Sequence, residues 1–336
     1  MDKYNLKQVI LDVPKQFAVG FSLAKNIIPA SHFDFQRIVL SGMGGSALPG
    51  DILQIYKNLL TKEGKNVTLE IYQNRFYKLP PESYQNCLNI VCSYSGNTEE
   101  TISSLEEAIQ NNLPTIAISS GGKMEEICKK QHIPHIKLPH PSPGFQPRMA
   151  LGYFVAVILS ILIEQNKFPD TRPEIQQSIN DLTNFIANTE EMGKTLAGNL
   201  VEQTLIIYSS VYLYTLALIW KIKFNENSKV PAFWNTFPEL NHNEFSGFAN
   251  PQSDYTIIML RDLQDDPRNL KRYTLTKQFL EQRNIASFII DIPEGEAMFR
   301  IFATLALGDW TAYYLAMHYG IDPTVADMVE DFKKQL

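Results

Sequence analysis

Arg37-Ile38-Val39-Leu40-Ser41 runs directly into Gly42-Met43-Gly44-Gly45-Ser46-Ala47, and helical periodicity then takes over from 47 to 60. A short β-branched run that breaks into glycines and continues as a helix is the opening of a βαβ unit. The alternation extends outward from there. Further strands are expected at 67–72, 88–93 and 114–119, with helices at 99–111 and 123–131 between them. Such a pattern implies parallel strands, helices on both faces of the sheet, and ligands gathered at the carboxyl ends of the strands. After a helical bridge over 174–196 the pattern starts again, with strands at 204–209, 255–260 and 286–290 and helices at 212–223, 270–283 and 295–319. The expectation is an α/β protein of two tandem doubly wound parallel-sheet domains of flavodoxin-like order, residues 1–165 and 166–336. Phosphate-binding loops belong to the first; a catalytic loop and C-terminal helices belong to the second.

Bulk properties narrow the function. The chain has 336 residues, enough for two cores, with 44% apolar and 20% charged residues. A formal net charge of −6 argues against a non-specific nucleic-acid binder, which needs a basic face. The first 25 residues lack a basic start followed by an apolar core, so no signal peptide is expected. The apolar run 149–163 is too short to span a bilayer comfortably and reads as a buried helix. Three cysteines without a C-x-x-C pair suit reduced thiols and a cytoplasmic protein.

Two loops have the composition of an anion grip. Gly42–Ala47 opens a helix, where glycines let backbone N–H groups approach an anion and Ser46 adds a hydroxyl. The same run fits the dinucleotide pattern G-x-G-x-x-A, but the acid expected at the end of the next strand is not clearly there; Glu70 sits inside that strand. Ser93-Tyr94-Ser95-Gly96-Asn97-Thr98 follows another strand and offers three hydroxyls of neutral donor character. A capping box, Asn97 with Glu100, is the ligand-free reading of this second loop. If the two loops follow adjacent strands, Ser46 would serve the same phosphate.

In the second half, 221–244 places polar residues among prolines and aromatics without periodicity. A dry wall with a few fixed polar groups suits a catalytic loop. A carboxylate walled by aromatics such as Phe224, Phe233 and Trp234 would be desolvated, as a proton shuttle requires. The spaced histidines His132, His135 and His140 have no acidic or cysteine partner nearby, so no metal is expected; His32 and His318 read as structural.

The runs 42–47, 93–101, 147–153 (PRMALGY), 225–234 (NENSKVPAFW) and 237–244 (FPELNHNE) resemble the bifunctional phosphoglucose/phosphomannose isomerase family of the sugar isomerase (SIS) superfamily. Gly308-Asp309-Trp310 and Asp322-Pro323-Thr324 extend the match, although this chain has Val325 where the family usually has proline. The resemblance implies a metal- and cofactor-independent aldose–ketose isomerase acting on hexose phosphates through a cis-enediolate. It places the phosphate on Gly45, Ser46, Ser93, Ser95 and Thr98. It makes Glu226 the general base between C1 and C2, Arg148 the guanidinium that neutralises the enediolate, and His242 the ring-opening residue, reaching the partner subunit of a homodimer. Lys333, with Lys334 beside it, matches the lysine at the ring oxygen. Thr324 is the candidate for dual glucose and mannose specificity. Glu239 and Glu244 flank His242 and either orient it or pair elsewhere. Against this stand a non-catalytic phosphosugar-binding SIS regulator, an isomerase of another phosphosugar, and an NAD-dependent oxidoreductase.

Overall fold

Strand-like runs separated by helix-like ones assemble, in a computed structural model that describes residues 2–25, 34–333 and 335, into two parallel sheets. His32 and Lys334 lie outside the described residues. In the first sheet β1 (Arg37–Gly42), β2 (Glu70–Asn74), β3 (Cys87–Cys92), β4 (Thr115–Ser119) and β5 (His135–Lys137) stand in the order β2-β1-β3-β4-β5. Every pairing is parallel. The chain steps from β1 outward to β2, then back across β1 to β3 and beyond. Right-handed crossovers in opposite directions place helix Leu48–Lys62 on one face and helices Glu99–Gln110 and Gly122–Gln131 on the other. That reversal puts the carboxyl ends of β1 and β3 side by side.

The second sheet repeats the plan with one strand fewer. β6 (Thr204–Ser210), β7 (Ala232–Phe237), β8 (Tyr255–Arg261) and β9 (Ala286–Asp291) run parallel in the order β7-β6-β8-β9. Tyr208, Phe237 and Tyr273 form the aromatic centre of its core, all fully buried. By contacts the chain divides into two compact units, residues 12–179 and residues 1–11 with 180–336. The division falls inside helix Arg172–Asn188 rather than at 165/166, and the first eleven residues pack with the C-terminal half.

Several local expectations shift. β2 begins three residues late, because Val67 and Leu69 are buried in the loop that precedes it. β7 occupies Ala232–Phe237, within the stretch that lacks periodicity; as an edge strand it bonds on one side only, and its inward–outward alternation is weak. The helical bridge is two helices, Arg172–Asn188 and Glu190–Gly198. Thr189 between them turns its hydroxyl back to the Phe185 carbonyl at 2.8 Å, a bond that competes with the helix. The apolar run folds as helix Leu151–Glu164, with every residue from 151 to 163 buried. No described helix is long and apolar enough to cross a membrane.

Candidate active site

The two donor-rich loops meet at the carboxyl ends of β1 and β3, which pair in register up to Gly42 and Cys92. Ser46, 4% exposed, opens the short turn Gly44–Ser46 onto helix Leu48–Lys62, and its Oγ accepts from the Tyr94 N–H at 2.9 Å. Its own hydroxyl hydrogen stays available for an anion. Across from it the Ser93 and Thr98 hydroxyls lie 2.9 Å apart. Between them they hold two hydrogens, of which one is used in their mutual bond. Ser95 is exposed, and its Oγ accepts from the Asn97 N–H at 3.2 Å. Gly96 takes φ +71°, and a Cβ there would overlap the Gly121 carbonyl oxygen, so only glycine fits this bend.

The capping box does not form. Helix Glu99–Gln110 has Thr98 at its N-cap without a side-chain bond, and Asn97 instead accepts from the Lys123 N–H at 2.9 Å, the start of the next helix. Asn97 is thus spent on a neighbouring loop, which leaves the N-terminus of its own helix uncapped by side chains. That neighbouring loop, Ser120-Gly121-Gly122, was not foreseen as part of the site. It buttresses the grip: Ser120 donates through N (2.9 Å) and Oγ (2.6 Å) to the Tyr94 carbonyl, and Met124 N donates to Gly96 O at 2.9 Å. The Gly-Gly pair after β4 was its visible mark.

Arg148 sits beside this grip, 4% exposed, on the turn Pro147–Met149. A Cβ on Gly45 would stand 2.7 Å from both Pro147 C and Arg148 Cα, so the loop after β1 and the Arg148 turn touch backbone to backbone. Gln16, 2% exposed, pins the turn: it donates to Met149 O at 2.8 Å and accepts from Gly152 N at 3.0 Å. The first unit therefore brings together Gly45, Ser46, Ser93, Ser95, Thr98 and Arg148.

In the second unit, helix Tyr214–Lys223 ends in a π-helical turn, Phe224–Ser228, that carries Glu226. A single π turn of this kind is often found at functional sites. Three tethers fix it. Lys223 pairs with Asp309, both largely buried; Ser228 Oγ donates to Ala312 O at 2.8 Å; and Asn225 Oδ1 accepts from Ala232 N at 2.9 Å. Gly308-Asp309-Trp310 is explained by the same packing. A Cβ on Gly308 would press into the Trp220 indole at 2.7 Å, and Trp310 Nε1 donates to Ile186 O at 2.7 Å. The expected aromatic wall is only partly built. Phe224 is fully buried, but Phe233 is 55% and Trp234 36% exposed on the edge strand β7, and Glu226 itself is half-buried.

Thr324, 1% exposed, lies near this turn: its N–H donates to Asp322 Oδ1 at 2.8 Å, and the Asp322 carbonyl shares Lys229 with Glu226. His242 is exposed at the end of the short turn Glu239–His242 after β7. The flanking carboxylates serve other partners. Glu244 accepts from Tyr208 and Asn235, and Glu239 accepts from Asn243 at 2.7 Å. Burial, with the Glu244 carboxylate next to it, pushes the Tyr208 hydroxyl far up, so it stays a donor. Lys333 is exposed on helix Asp327–Lys333, paired with Glu330 at 2.9 Å.

Among the described residues no group of three His, Cys, Asp or Glu is placed to hold a metal ion. His135 bonds Ser119 Oγ at 2.8 Å, and burial lowers its affinity for a proton; His140 lies edge-on to Tyr94 at 5.9 Å. The dinucleotide reading loses its acid. Glu70 stands at the amino end of β2, against Arg37 at 3.3 Å, while the carboxyl end is Asn74.

A family model described as the bacterial phospho-glucose isomerase C-terminal SIS domain matches residues 189–336. The bifunctional phosphoglucose/phosphomannose isomerase of Caldicellulosiruptor bescii is 32% identical over 341 residues, which cover 97% of each chain. The chain belongs to the bifunctional phosphoglucose/phosphomannose isomerase family. Another member of that family, from Aquifex aeolicus, is 29% identical over 94% of this chain and 93% of its own. Among solved structures, the C-terminal domain of glucosamine-fructose-6-phosphate aminotransferase from Francisella tularensis superposes with a TM-score of 0.69, covering 96% of this chain and 98% of that one. At 14% identity that likeness concerns the fold alone, two parallel-sheet α/β domains.

Proposed function

We propose that this chain interconverts glucose 6-phosphate and mannose 6-phosphate with fructose 6-phosphate, without metal or cofactor. The observation that carries the reading is the neutral grip of Ser46, Ser93, Ser95 and Thr98 at two adjacent strand ends, in a chain that belongs to this family. Neutral hydroxyl and N–H donors hold a phosphate dianion without trapping it as a salt.

In the open-chain aldose, Glu226 removes the C2 hydrogen as a proton while the C1 carbonyl takes up the electron pair, giving a cis-enediolate. Arg148 stabilises that charge; a guanidinium does so without removing protons itself. Return of the proton to C1, with the O2 hydrogen passing to O1 as the C2 carbonyl forms, gives the ketose. Rotation about C2–C3 presents the other face of C2, so the same base yields the mannose epimer, with Thr324 leaving the room. His242 opens the ring from the partner protomer of a homodimer, for which its exposure is suitable, and Lys333 assists at the ring oxygen. Buried, unpaired Cys87, Cys92 and Cys128 are in keeping with work in the reducing cytoplasm.

Incubation with fructose 6-phosphate and EDTA, without added cofactor, should yield both aldose phosphates. Absence of both products removes the reading. Glu226→Gln should lower kcat by orders of magnitude with substrate binding kept, and full activity in that variant takes Glu226 out of the mechanism.

A further inference from the structure

Lys229 closes the π turn in a left-handed conformation, φ 55° and ψ 32°. Glycine, or asparagine, takes that position at lower cost; a lysine there pays about 1 kcal/mol of backbone strain. The side chain explains the choice of residue. Its ammonium donates to the carbonyls of Glu226 (2.9 Å) and Asn227 (3.4 Å), two of the last carbonyls of the turn. It also donates to the carbonyl of Asp322 at 2.8 Å, far along the chain.

Asp322 is itself a hub. Its Oδ1 caps the Thr324 N–H at 2.8 Å and its Oδ2 accepts from Lys3 N at 3.4 Å. One ammonium thus ties the peptide that carries Glu226 to the loop that carries Thr324. Other bonds hold each side separately: Ser228 and Lys223 anchor the turn to helix Ala297–His318, and Asp322 shapes its own loop. Lys229 reaches both sides through one ammonium. A methylene stem without the ammonium would keep the backbone strain and lose the three bonds.

We infer that Lys229 is a positioning residue that sets the Glu226 turn against the Asp322–Thr324 loop, and so governs both the rate of proton transfer and the choice of which face of C2 receives the proton. The inference rests on the proposed roles of Glu226 and Thr324. Displacing a base by even about 1 Å costs on the order of 100-fold in rate, whereas phosphate binding in the other unit is untouched.

The test compares Lys229→Met, Lys229→Arg and Glu226→Gln in the full-length protein with fructose 6-phosphate. Lys229→Met is expected to lose about 10–100-fold in kcat with KM within roughly two-fold, and to change the ratio of glucose to mannose 6-phosphate formed. Lys229→Arg, which still donates to carbonyls, is expected to restore most of the rate and the native ratio. Folding is followed by tryptophan fluorescence, since all three tryptophans lie within 180–336; if Lys229→Met does not fold, Lys229→Leu, which also lacks a donor, takes its place with the same expectations. An unchanged kcat, an unchanged product ratio, or a loss that arginine leaves unrepaired overturns the inference. If Glu226→Gln is inactive and Lys229→Met is not impaired, only Lys229 loses its role. If Glu226→Gln is fully active, the proposed base falls first.

Discussion

Gly45→Ala isolates the contact between the loop after β1 and the Arg148 turn. The added methyl would stand 2.7 Å from Pro147 C and Arg148 Cα, where ordinary contact begins at 3.4 Å. Both neighbours are backbone, and Gln16 holds their turn from behind, so no side chain can swing aside. One of the two segments must yield by roughly 1 Å, a displacement that costs about 100-fold where reacting groups are held in register. Overpacking of this kind also costs about 1–3 kcal/mol of stability. In the proposed mechanism the phosphate grip would bind ground and transition states alike, whereas Arg148 would act mainly on the enediolate. Moving one against the other should therefore raise KM and lower kcat together, for a loss in kcat/KM of about 100-fold. Gly44→Ala is the matched control. Its Cβ would meet nothing within 4 Å, and it pays only for φ +51°, about 1 kcal/mol. Steady-state kinetics on both variants, with thermal melts to confirm folding, make the comparison. Gly45→Ala at wild-type kcat/KM, or both variants equally impaired, would refute the reasoning.

Other perturbations follow from single contacts. Asp309→Ala leaves the Lys223 ammonium largely buried without its carboxylate, at an expected cost of about 3–5 kcal/mol; urea unfolding followed by tryptophan fluorescence reads this in the C-terminal unit. Burial lowers the proton affinity of His135 in the fold from the ordinary value of 6.5. The folded state then binds fewer protons than the unfolded one, so its contribution to stability is present above about pH 6.5 and lost as pH falls below it, with a slope bounded by one proton, about 1.4 kcal/mol per pH unit. Protection factors of the β4 and β5 amides, which remove the intrinsic pH dependence of exchange, should fall more steeply on acidification in the wild type than in His135→Gln, and equal pH dependence would count against a buried neutral imidazole. Prolonged dialysis against EDTA should leave isomerisation of fructose 6-phosphate unchanged; loss of activity restored by a divalent cation would contradict a metal-free mechanism.

Much of the architecture was written locally. β1, β3, β4, β6 and β8 fall within a residue or so of their β-branched runs, because central parallel strands are buried on both faces and must be apolar throughout; β9, an edge strand, is as legible through Phe288-Ile289-Ile290. β7 was invisible and the three-residue β5 was legible only as a strand-like or loop-like stretch: an edge strand bonds on one side, and His135-Ile136-Lys137 or Phe233-Trp234-Asn235 has no obligation to alternate. Glu70 shows how much one register matters. A strand begun three residues later moved it from mid-strand to the amino end, and the dinucleotide reading went with it.

Residue order alone was enough for two parallel-sheet halves, for hydroxyl-rich loops after the first and third strands, and for the family. Those depend on periodicity and on short motifs, which survive in one dimension. Folding in three dimensions chose the partners: Ser46 with Tyr94, 48 residues on; Asn97 with Lys123 rather than with its own helix; Lys229 with Asp322, 93 residues away. A hydrogen bond between distant segments leaves no periodic trace, because either end could be satisfied by many other groups or by water. Only packing that excludes those alternatives selects one.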